Sequence, residues 1–280
     1  MEDRSIAAQK MALANTDFTD ETFGVYENAS PADVLDQVLN HGLRHVVQRS
    51  GVTPGHEMET ARRMLNDPQS YFKFPVSTIF NAVQNTVESE ALLRALVMEF
   101  STPREKEDVL QLLRSYLQPQ VGVGLLSDVL LIADELFTNA VFNAPFENWN
   151  QEVGGISRNS EKLRDLKVKT AQLIVARDEK RIVICCVDEY GALNPLKLIE
   201  RLNRVLNEGL GSALNYGPGG AGIGTSMIYG ACSSLYLGVQ KGQRTVVSVS
   251  LPLLASRKAR EQTPKNVHIV MMDSGQKIRG

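Results

Sequence analysis

Three cysteines in 280 residues are too few for a disulfide framework. Cys185 and Cys186 are adjacent inside an apolar run and lack CxxC spacing, so the thiols are expected buried and reduced. Charge of neither sign dominates: 30 Lys and Arg stand against 32 Asp and Glu, with a pI near 6.1. Net charge therefore gives no support to a nucleic-acid or anionic-membrane role, although it leaves room for a local basic patch. No apolar run approaches the roughly 20 residues of a membrane helix, and the opening MEDRSIAAQK lacks the apolar core of a secretory signal. A cytoplasmic protein is expected. What is present is 43% hydrophobic content, enough for a globular chain of about two domains at roughly 100–200 residues each.

The first 25 residues are polar, lack a sustained period and are expected to form a mobile arm. A helix is signalled from Ser30, with Pro31 at its first position and Asp33 completing a capping box. Val34, Leu35, Val38, Leu39, Leu43, Val46 and Val47 share one face, and Gly51 supplies the stop. A second helix is expected over His56 to Leu65. A third holds Ile79, Phe80, Val83, Val87, Leu92, Leu93, Leu96 and Val97 on its buried side, and a fourth starts at the capping box Thr102-Pro103-Arg104-Glu105 and reaches Leu117. The N-terminal part thus reads as all-helical. Beyond residues 118–124 a helix runs from about Ser127 to Asn143, and then the texture changes. Ala171–Ala176 and Arg181–Val187 read as a hairpin, Asn194-Pro195 opens a helix that ends before Gly209, and a short helix covers Gly222 to Cys232. A last hairpin turns at Lys241-Gly242, with Thr245, Val247, Val249 and Leu251 on one face. The tail from Ser256 carries one apolar run, VHIVMM, expected as an edge strand or a docking segment.

Three places carry chemistry. Glu135, Asn139 and Asn143 stand at i, i+4, i+8 on a helix whose other positions are largely apolar. They form either a solvated stripe or a buried line needing partners, which a ligand or hydrated metal would supply. Asp188 ends the apolar strand RIVICCV. It is either a turn-forming Asp or a carboxylate placed to accept from an exocyclic amine. Seven of the 21 glycines fall between Gly209 and Gly224. Such a stretch is either a linker or a backbone that closes on phosphates ahead of a helix N-terminus. The direct passage into the apolar Ile223, Met227, Ile228 and Ala231 argues for the second reading.

In this order the motifs resemble the GHKL superfamily of ATPases with the Bergerat fold, over roughly residues 105–255. DELFTNAVFNAP resembles the N box, VDEYGALNP the first glycine box and GPGGAGIGTSMIY the second. The resemblance implies an α+β sandwich, a mixed and mostly antiparallel sheet covered by helices, behind an all-helical N-terminal region. The boundaries expected are an arm over 1–25, a helical region over 26–104, an ATP-binding domain over 105–255 and a tail over 256–280. It also implies ATP and Mg²⁺ as cofactors. Glu135 falls on the general base, Asn139 on the magnesium-holding amide and Asn143 on a phosphate-side polar position. Asp188 falls on the carboxylate that receives the adenine amine, with Gly191 in the same box. Gly219, Gly220, Gly222 and Gly224 fall in the phosphate loop, with Thr225 as a hydroxyl partner. The set is coherent for phosphoryl transfer. One position departs from the family, whose first glycine box reads Asp-x-Gly-x-Gly: here Tyr190 and Ala192 stand where glycines are usual. The Tyr190 ring either points away or stacks on or partly fills the adenine pocket.

Within the superfamily the chain resembles anti-sigma-factor serine kinases, with a short segment between the glycine boxes and a helix leading straight into the N box. That implies a cytoplasmic signalling protein that phosphorylates Ser or Thr on a protein partner, the helical region supplying dimerisation or partner specificity. One alternative is a degenerate module that binds a partner without catalysis, which Tyr190 favours. Another is a sensor histidine kinase using His41, with His45 one turn on along the same helix. Pro54, Pro68 and Pro75 interrupt the long two-helix hairpin which that reading needs.

Overall fold

Ser30 opens the first helix through a reciprocal capping box with Asp33, and Gly42 closes it with φ 70°, its N–H donating to the Gln37 carbonyl. In the computed structural model, which describes residues 22–80, 95–145, 163, 165–209, 223–254 and 256–273, this is α1 (Pro31–His41), preceded by β1 (Phe23–Tyr26). Then come β2 (His45–Gln48), α2 (Pro54–Asn66), α3 (Pro68–Lys73), α4 (Pro75–Phe80) and β3 (Leu96–Phe100). A 3₁₀ turn (Pro103–Glu105) leads into α5 (Lys106–Leu117), and α6 (Val123–Thr138) continues into a π turn (Asn139–Asn143). The remainder is β4 (Ala171–Arg177), β5 (Arg181–Asp188), α7 (Pro195–Glu208), α8 (Ile223–Ala231), β6 (Ser234–Gln240), β7 (Arg244–Pro252), α9 (Arg257–Glu261) and β8 (Asn266–Met272).

All eight strands form one sheet in the order β1-β2-β8-β6-β7-β5-β4-β3, parallel at β1–β2 and β6–β8 and antiparallel elsewhere. Strand alternation sorts the core into two layers. Ile182, Ile184 and Cys186 of β5 pack with α1, α5, α6, α7 and α8, while Val183, Cys185 and Val187 pack with Met64, Tyr71, Phe72 and Ile79 of α2–α4 on the opposite face. The protein is thus a mixed α/β sandwich. Among the described residues no helix is long and apolar enough to cross a membrane.

The structure corrects the all-helical reading of the N-terminal part. Phe23–Tyr26, expected in the arm, is a strand. The first helix stops at Gly42 rather than Gly51, and Val46 and Val47 belong to β2. Leu96 and Val97 lie in β3, not in a helix begun at Ile79, and the intervening residues 81–94 fall outside the described set. Short apolar runs at these places satisfy either period, and pairing with a neighbouring strand decides. The VHIVMM run is an interior strand between β2 and β6, not an edge.

A buried polar network joins α2 to the sheet. The Glu57 carboxylate accepts from Tyr236 Oη at 2.7 Å, Ser234 Oγ at 2.9 Å and Arg181 Nη1 at 3.3 Å, and meets His268 Nε2 at 3.1 Å. His268 Nδ1 in turn lies 3.2 Å from His45 Nδ1. All six side chains are buried, so each must find its partner inside the protein.

Candidate functional site

The polar line of α6 survives folding as a hydrogen-bonded ladder. Asn139 Nδ2 donates to Glu135 Oε1 at 3.2 Å, and Asn143 Nδ2 donates to Asn139 Oδ1. Leu136, Phe137, Ala140 and Val141 beside it are buried in the core, whereas the three polar groups are half-buried and face outward from it. The π turn at Asn139–Asn143 widens the helix where the amides sit, a place where such bulges commonly serve function.

α8 comes to this ladder end-on. A Cβ added at Gly224, in its first turn, would meet the Glu135 carboxylate, so glycine lets the two approach without displacing that side chain. The N–H groups at this end of the helix favour negative charge. At the other end Lys265 Nζ donates to the carbonyls of Gly230 at 2.8 Å and Cys232 at 2.7 Å, matching the negative pole. Arg260 holds α9 to α6 through Asp128, Nη2 to Oδ2 2.7 Å, both groups buried. Thr225 lies half-buried in the same first turn as Gly224. Gly219, Gly220 and Gly222 fall outside the described residues.

Asp188 ends β5 on the face that α6 covers, as Cys186 two residues earlier packs beneath Leu136. Asp188 as a whole is 8% exposed. Burial pushes its pKa up to about 6 against the N–H groups of Tyr190 and Gly191 and the Thr245 hydroxyl, which favour ionisation; the Glu189 charge adds to the rise. Thr245 stands opposite Asp188 in the β5–β7 register. Among the described residues its buried Oγ1 makes no hydrogen bond of full length. A buried carboxylate beside a buried, underused hydroxyl is a pair that a ligand bearing both a donor and an acceptor satisfies. Thr245 was placed by the sequence on the correct face, yet nothing in its spacing marked it as functional.

The Tyr190 departure has a structural account. Its N–H donates to Asp188 Oδ1 at 3.0 Å, a turn that needs no glycine at this position. Its ring is committed to Lys169: Oη accepts from the Lys169 N–H at 2.8 Å, and the Lys169 ammonium sits 4.8 Å from the ring centroid. The position that demands glycine is Gly191, with φ 60°, where a Cβ would run into the Gln240 carbonyl in the β6–β7 turn.

Glu135 and Asn139 offer hard oxygen donors suited to Mg²⁺. Among the described residues no cluster of three or more His, Cys, Asp or Glu stands ready for a metal. His41 is exposed in the last turn of an 11-residue helix, 3.9 Å from Asp36. His45 is not its helical neighbour but a buried residue of β2. The three cysteines are free and buried; burial pushes Cys185 up to about 12 and Cys232 up to about 11, which removes them as nucleophiles at neutral pH. No protein-family model matches the chain, and no curated protein does.

Proposed function

We propose that the chain is a GHKL-type signalling protein that binds Mg·ATP and passes the γ-phosphoryl group to a Ser or Thr hydroxyl of a protein partner. What carries the reading is the contact of Glu135 with Gly224, two positions far apart in the chain that the resemblance assigns to the N box and the second glycine box. On this reading Asp188 accepts from the exocyclic amine of adenine, with Thr245 beside it serving the ring. Asn139 would hold Mg²⁺ jointly with the phosphates, and the ion would supply neutralising charge for the transferring group. The first turn of α8 directs its N–H groups at the phosphate chain. Glu135 takes the proton of the acceptor hydroxyl as its oxygen bonds to the γ-phosphorus and ADP departs. The setting proposed is cytoplasmic, with the partner a protein and the chain a homodimer.

Glu135 is already engaged by Asn139 and by the α8 turn, which favours a second reading: a nucleotide-responsive scaffold that binds its partner without transfer. Calorimetric titration with ATP and ADP, with and without Mg²⁺, separates the outcomes. Saturable Mg²⁺-dependent binding that is lost in Asp188→Asn supports the site. Asn139→Ala should abolish Mg²⁺-dependent binding, while Glu135→Ala should keep binding and lose transfer. Binding that Asn139→Ala leaves intact sinks the assignment, and transfer that survives Glu135→Ala removes the base.

A further inference from the structure

On the sheet face opposite Asp188 lies a cavity of about 300 Å³, at the lower end of the range that small-molecule sites occupy. Its apolar floor is Phe72, Ile174 and Val187, and its polar wall carries two cations, Lys73 and Arg244, and two carboxylates, Glu99 and Glu189. The charges balance, which disfavours a simple anion or cation and suits a ligand carrying one of each sign.

The wall is built to be contested. Arg244 Nε and Nη2 both donate to Glu189 Oε1, at 2.9 and 2.6 Å, while Nη1 holds the Phe72 carbonyl at 3.1 Å. The Arg244 and Glu189 side chains are 34% and 41% exposed, so the pair is open to exchange with a ligand's own charges. Among the described residues the exposed Lys73 ammonium meets no carboxylate. A carboxylate of the ligand has Lys73 and Arg244 to meet, its ammonium has Glu189 and Glu99, and an apolar side chain has the floor. We propose that this cavity binds a small zwitterion of the α-amino-acid type with an apolar side chain, and that its occupancy tunes the site across the sheet. Val187 and Glu189 flank Asp188 in the chain, and Arg244 directly precedes Thr245. Any ligand that draws on the Arg244–Glu189 pair thus pulls on the immediate neighbours of both groups. The tuning rests on the nucleotide reading above; the binding does not.

The test is methyl NMR of Ile174 and Val187 in the full chain, titrated with L-phenylalanine and L-leucine. Phenethylamine and 3-phenylpropionate, each bearing one of the two charges, serve as comparisons. Both amino acids should shift these methyls saturably, and each single-charge analogue should bind about tenfold more weakly, the loss of one charge-assisted contact. Lys73→Met and Glu189→Gln should each weaken binding by about the same factor, Lys73→Met guarding against any disturbance that loss of the Arg244 partner causes. No shift, or analogues that bind as well as the amino acids, overturns the site. ATP affinity is then measured with and without saturating L-phenylalanine. A changed affinity, reciprocated in the amino-acid titration, supports the tuning. An unchanged one overturns it and leaves the cavity standing. Absence of ATP binding alongside intact methyl shifts overturns the nucleotide reading and the tuning with it.

Discussion

Asp188 is held in a state that folding alone does not favour. With its pKa raised from 3.8 to about 6, its contribution to stability is complete below the unfolded value and is lost as pH rises through the folded one. At neutral pH the ionised carboxylate therefore costs roughly 3 kcal/mol, two pKa units at about 1.4 each. A donor delivered by a ligand recovers part of that cost. Two outcomes are expected. Nucleotide affinity should fall between pH 7 and pH 5, because the ionised carboxylate accepts from an amine more strongly than the protonated acid does. Titration calorimetry at both pH values checks this, and a flat profile would remove Asp188 as the acceptor. Asp188→Asn should raise the melting midpoint of the free protein at pH 8 while abolishing nucleotide binding, as residues placed for function rather than stability do.

At the scale of elements, α8 is positioned by its two ends. Gly224 lets its first turn lie on Glu135, while Lys265 gathers the carbonyls at its other end. Gly224→Ala should thus displace the Glu135 carboxylate, the end of a flexible side chain, from its bond with Asn139 at a cost of about 0.5–1.5 kcal/mol. The same substitution in a Glu135→Ala background should cost little, since the colliding carboxylate is gone. Urea unfolding of the four proteins yields the coupling. Additive penalties would mean that α8 does not press on Glu135 in solution. The Gly191 turn behaves likewise, its backbone lodged against the β6–β7 turn, with Gly242 N–H donating to the Gly191 carbonyl at 3.2 Å. That contact fixes glycine at position 191, whereas Tyr190, whose N–H turns onto Asp188, needs none.

For the whole molecule, the Glu57 network is the joint between α2, the β1–β2 pair and the rest of the sheet. Burial would raise the Glu57 pKa, but His268, Arg181 and Tyr236 more than offset it and leave it lowered. His45 is pushed well below its ordinary 6.5 by burial, then by His268 and Arg44. Both shifts have the same sign for stability: each contribution is complete above the unfolded value and is lost as pH falls, beginning near 6.5 for His45 and near 4.5 for Glu57. The seam is short, with only His45–His268 and Val46–Val267 paired between β2 and β8. In an Asp188→Asn background, which removes the opposite pH dependence of that carboxylate, the melting midpoint should accordingly drop as pH is lowered below about 6.5, with amides of β2 losing hydrogen-exchange protection before those of β5 and β7. Glu57→Gln should cost about 1–3 kcal/mol, because it weakens the hydrogen bonds of a buried acceptor and leaves the buried Arg181 with Asp178, 3.5 Å away, as its remaining carboxylate. An unchanged acid profile in His45→Gln would refute the role of that imidazole.

The sequence by itself determined the elements whose signals are local. Ser30 with Asp33, Thr102 with Glu105, and Asn194-Pro195 mark helix starts through caps that close within three residues. The β4–β5 and β6–β7 hairpins are likewise legible from alternation and a tight turn. It also aligned Glu135, Asn139 and Asn143 on one line, since helical spacing is a property of the chain alone. Tertiary structure decided the rest. Residues 45–48 and 96–100 are short apolar runs whose backbone bonds go to strands distant in the chain, so no local rule chooses their state, and the same pairing set residues 266–272 in the interior of the sheet rather than at its edge. The same holds for Thr245 beside Asp188, Gly224 against Glu135 and Glu57 beneath His268. Each is a pair brought together by packing two layers on one sheet, and contact between distant residues is a consequence of that packing rather than of spacing along the chain.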